Sequence, residues 1–92
     1  MYLFLQKIDQ FTDFAKQKVS THTRELGIEY DECGHDSRDL KEKFFHLHEH
    51  RLERELLNKI DELSNQNAQV LKPSLGILKD YYLSIFKNRA LG

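Results

Sequence analysis

The stretch FLQKIDQFTDFAKQKVSTHTREL, Phe4 to Leu26, decides the fold. Within it Phe4, Ile8, Phe11, Ala15, Val19 and Leu26 recur at spacings of three, four and seven residues. At about 100° per residue this set falls inside an arc of roughly 80°, as expected of a helix with one buried side. His22 lies on the same stripe, whereas Leu5 and Phe14 lie off it. The spacing predicts a helix over 2–26, stopped by Gly27, since glycine suits the left-handed turn that ends many helices.

Downstream, residues 27–36 carry turn formers and no helical period, which predicts an acidic loop built around Glu29, Asp31, Glu32 and Asp36. Asp36 or Ser37 can cap a second helix over 38–64. Its apolar residues form two lines, Leu40, Phe44 and Leu47 on one and Phe45, Leu52, Leu56, Ile60 and Leu63 on the other. The second line is rotated by roughly 120–150° from the first, so the two ends of this helix are expected to meet different neighbours. Residues 65–72 read as a hinge. Pro73 marks the next start, because it disfavours helical angles at Lys72 and fits a first helical turn. A helix over 73–89 follows, with Leu75, Leu78, Tyr82, Ile85 and Phe86 on one face; a start near Ala68 with a kink at Pro73 is the alternative. The expectation is a single all-α domain over 1–92, an antiparallel three-helix arrangement with a long central helix.

Ninety-two residues, 39% of them hydrophobic and 32% charged, make a thin core for one domain. A second copy of the chain or a larger protein is therefore expected to complete the bundle. The formal net charge of -1 argues against a dedicated polyanion binder. A single cysteine allows no internal disulfide, and no apolar run approaches the ~20 residues of a membrane span. A cytoplasmic protein with no membrane partner and no small-molecule substrate is the expectation.

Four of the five histidines and the only cysteine fall between Cys33 and His50. His46 and His50, four apart, project from one side of the second helix. With Cys33 and His35 they supply four ligand types that zinc takes, which makes zinc the metal to consider. The alternative for each residue is structural: His48 as a hydrogen-bonded core histidine, His46 and His50 as exposed residues beside Glu42 and Glu53, and His22 as a boundary residue. A di-metal site needs Glu-x-x-His motifs on facing helices, and the last helix offers neither residue type. Cys33 sits among acidic residues, which disfavour its thiolate. The chain also has no Gly-rich phosphate loop and no serine elbow, so an enzyme is not expected.

The pattern Phe44-Phe45-x4-His50-Arg51-Leu52-x5-Asn58-Lys59-Ile60 resembles the central helix of the Hha/YmoA family. Those are small helical modulators that pair with histone-like nucleoid proteins. The resemblance covers about seventeen residues, and the chain departs from the family in its acidic segment and its additional last helix. It implies a nucleic-acid-associated transcriptional modulator, with His50, Arg51 and Leu52 on its motif; independently of the resemblance, Lys79, Lys87 and Arg89 are the residues that could meet phosphates in such a role. The residues themselves favour a protein-interaction module: a regulator, inhibitor, immunity-type protein or chaperone-like adaptor that binds through helix faces. Phe14, His46, His50, Glu53, Leu57, Ile77 and Tyr81 are the candidate contacts.

Overall fold

Helix α1 (Tyr2–Cys33) runs nearly two turns past the expected stop at Gly27. The computed structural model describes residues 2–33, 38–64 and 68–91. Glycine inside a helix costs about 1 kcal/mol relative to alanine. Here the residues beyond it offset that cost. Tyr30 packs against the core, and Glu29 reaches the ring of His48 on the next helix. The predicted loop over 27–36 is thus helical to Cys33, and its remainder, with the caps proposed at Asp36 and Ser37, lies outside the described residues.

Helix α2 (Arg38–Leu63) matches its expected span to within a residue, and the backbone N–H of Ser64 closes its last turn on the carbonyl of Ile60 at 2.9 Å. Helix α3 (Ala68–Leu91) begins upstream of Pro73 and carries that proline inside it. The expected start at Pro73 is corrected in favour of the alternative start. The reason is packing: Leu71 is buried one turn before Leu75, and Lys72 approaches Asp61 at 3.5 Å, so tertiary contacts draw the first turn into helix.

All three helices pack pairwise. The order of contacts shows that α1 and α2 are antiparallel. Tyr30 faces Lys41, His22 faces both His48 and Glu55, and Phe14 faces Lys59. Phe86 stacks on Phe45 at 5.6 Å while Lys72 pairs with Asp61, so α3 again runs against α2. The principal extents of 51 × 17 × 16 Å describe a rod one long helix in length.

Its core is a continuous column of residues three, four or seven apart on each helix. Phe11, Ala15, Val19 and Leu26 come from α1, Phe45, Leu52, Leu56, Ile60 and Leu63 from α2, and Leu71, Leu75, Tyr82 and Phe86 from α3. The three helices bury this column among themselves. The two apolar lines of α2 also separate. The Phe45–Leu63 line is core, while Leu40 and Leu47 point outward and Phe44 packs at the edge. Among the described residues, no helix is long and apolar enough to cross a membrane.

Candidate functional site

Two positions in the core column are histidines. His22 is 6% exposed and His48 is 2% exposed, each on the stripe that elsewhere carries Val, Leu and Phe. A buried imidazole left without hydrogen-bond partners is costly, so every ring nitrogen needs one. The Nδ1 atoms of the two rings meet at 2.8 Å. The Nε2 atoms point outward, that of His22 to Glu55 Oε1 at 2.7 Å and that of His48 to Glu29 Oε2 at 3.1 Å. Lys18 Nζ donates to the other oxygen of Glu55 at 2.8 Å. Phe86 of α3 closes the assembly from behind, edge-on to His22 at 6.4 Å and stacked on Phe45.

The arrangement has an internal symmetry that follows from sequence spacing. Each histidine precedes a glutamate by seven residues on its own helix, His22 with Glu29 and His48 with Glu55. Seven residues are two turns, so all four side chains face one seam. Because the helices are antiparallel, each histidine reaches the glutamate of the other helix. The result is a chain of groups, Glu55, His22, His48 and Glu29, crossing the seam between α1 and α2.

Hydrogen counting defines what this chain can hold. Its three contacts need three hydrogens, whereas two neutral imidazoles bring two. If both rings donate Nε2–H to their carboxylates, both Nδ1 lone pairs converge on the same point. One more positive centre between them satisfies every contact. The carboxyl of Glu55 is pushed up by burial, but hydrogen bonds and charge from Lys18 and His22 outweigh that and hold it below the usual carboxylate value. The Tyr30 hydroxyl is pushed up by burial and by the neighbouring charge of Glu29. Glu25, one turn beyond His22, brings a carboxylate to the seam. The ligand atoms of His22, Glu25 and His48 all lie within 4.8 Å of one another.

The expected zinc set is Cys33, His35, His46 and His50. His46 and His50 are exposed on the outside of α2, and the thiol of Cys33 and the whole of His35 lie outside the described residues. The expectation that His48 is a hydrogen-bonded core histidine agrees with its burial and partners. His22, read as a boundary residue, is instead fully part of the core. The signal that could have found the pair is the His-x6-Glu spacing on two helices whose histidines both sit on the apolar stripe.

The candidate contact residues divide in two. His46, His50, Leu57, Ile77 and Tyr81 are exposed and Glu53 is half-exposed. Phe14 is partly buried against the core, with the amines of Lys18 and Lys59 at 5.5 and 5.2 Å from its ring centre. No family model, no curated protein and no solved structure matches the chain, so the likeness of residues 44–60 to the Hha/YmoA helix finds no counterpart there.

Proposed function

We propose that this protein acts by binding another, larger protein, as a small cytoplasmic regulator, inhibitor or adaptor, and not by catalysing a reaction. The observation that supports this is the row on α2 directly opposite the core: Leu40, Lys43, Leu47, His50, Arg54 and Leu57, spaced alternately by three and four residues. Such spacing makes a continuous seam for a second helix. Its leucines are large and uncovered, Leu40 at 47%, Leu47 at 52% and Leu57 at 43% exposure. Lys43, His46, Leu47 and His50 line a shallow depression in it.

Charge favours a different chain over a second copy as the occupant. Antiparallel self-pairing sets Lys43 against Arg54, and parallel self-pairing sets each cation against itself. A partner helix with apolar residues toward the leucines and acidic residues toward Lys43 and Arg54 satisfies both. The nucleic-acid reading has less to stand on. Lys79 lies beside Asp80 at 3.3 Å, which leaves Lys87 and Arg89 exposed near the end of α3.

A photo-crosslinking residue placed at Leu47 tests the reading in the native host. The expected result is a discrete adduct that disappears on Leu57→Asp and on Lys43→Glu/Arg54→Glu, while the melting temperature of each variant stays within a few degrees of the parent, as for surface substitutions. Adducts that are the same with and without these substitutions would remove the proposal.

A further inference from the structure

Two buried imidazoles that aim their Nδ1 atoms at each other serve no need of an interaction surface on the far side of α2. We infer that His22, His48 and Glu25 form a binding site for one divalent cation of borderline softness, Zn²⁺ above all, within the seam between α1 and α2. Two imidazole nitrogens and one carboxylate oxygen are donors that Zn²⁺ and its first-row neighbours accept, with a position left for water. The ligand atoms already lie within 4.8 Å of one another.

The outer contacts carry the argument further. Glu55 and Glu29 hold the two Nε2 positions. Carboxylates at those positions orient metal-bound imidazoles and raise their basicity. A proton shared between the Nδ1 atoms would also fill the gap, but it makes no use of Glu25, whose carboxylate lies with both rings inside the same 4.8 Å cluster. Nitrogens bound to a tetrahedral ion at about 2.0–2.1 Å stand about 3.3 Å apart, so the rings need to part by only about half an ångström. The starting separation is 2.8 Å. Glu25 is exposed, which gives the ion a path from solvent past its own third ligand.

The untagged protein is titrated with Co²⁺, whose visible absorption reports its ligands, and then with Zn²⁺ in competition. The expected result is one ion per chain, with a melting temperature that rises by several degrees in excess Zn²⁺ because the ion binds the folded chain. Binding is expected to weaken by at least about tenfold in Glu25→Ala, a change at an exposed position that leaves the fold intact. His46→Ala/His50→Ala is expected to bind as the parent does. Three results would overturn the inference: no binding at sub-millimolar metal, binding unaffected by Glu25→Ala, or binding lost with His46 and His50, whose i,i+4 pair is a surface trap. His48→Gln removes a ligand outright; should that variant fail to fold, Glu25→Ala decides the matter alone.

Discussion

His22 and His48 stand where a leucine would fill the same volume, and the surrounding residues are arranged around that choice. Glu55 shows it in the direction of its pKa shift. Its carboxyl sits below the usual value because Lys18 and His22 hold the charged form. A carboxyl lowered on folding contributes stability that is present above its unfolded value, 4.5, and is lost as pH falls through the lower folded value. Denaturation series are therefore expected to show the parent more stable than Glu55→Gln near neutrality, with the two curves converging as pH drops below that value. A constant gap down to the acid end would show that Glu55 does not hold this role. Gly27 supports a second prediction. An added Cβ there meets nothing within 4 Å. Gly27→Ala should raise stability by about 0.5–1 kcal/mol in a urea titration, and a loss would mean that α1 is not helical through that position. Of the site, His48 was legible because it lies in the same arc as Leu52. His22 and the two glutamates were not, since their roles exist only once two antiparallel helices are brought together.

At the scale of elements, the stripes of α1 and α2 and the face of α3 could be read because burial on one side imposes a three-and-four spacing. The ends could not. Gly27 and Pro73 are local stop signals, and in both places contacts from another helix override them, through Tyr30 and Glu29 in one case and through Leu71 in the other. Pro73 still removes one backbone donor from α3. Pro73→Ala is accordingly expected to stabilise the protein by about 1–3 kcal/mol and to slow amide exchange in the first turn of α3. Unchanged exchange there, with no gain in stability, would mean that the helix begins at the proline after all. The outer row of α2 was visible only as a drifting apolar pattern. Its meaning as a second seam appears when the core takes the opposite side.

For the molecule as a whole, the column from Phe11 to Phe86 is buried within one chain, and the account takes that chain as the folding unit. Its unfolding midpoint should thus be independent of protein concentration between about 1 µM and about 100 µM, since a dimer that folds only on assembly is stabilised by mass action. A midpoint that climbs with concentration would restore a role for the second copy. The association we propose uses the far side of α2, and the cation site lies at the inner seam, so each can be removed without the other. Everything at that seam rests on two rings facing each other through Nδ1 with carboxylates behind them. Long-range proton–nitrogen correlation of the histidine rings reads this directly in the metal-free protein. The account predicts that His22 and His48 both carry hydrogen on Nε2, and that their Nδ1 signals are the ones displaced when one equivalent of Zn²⁺ is added. Two rings protonated on Nδ1 and bare at Nε2, indistinguishable from His46 and His50 in their response, would contradict it.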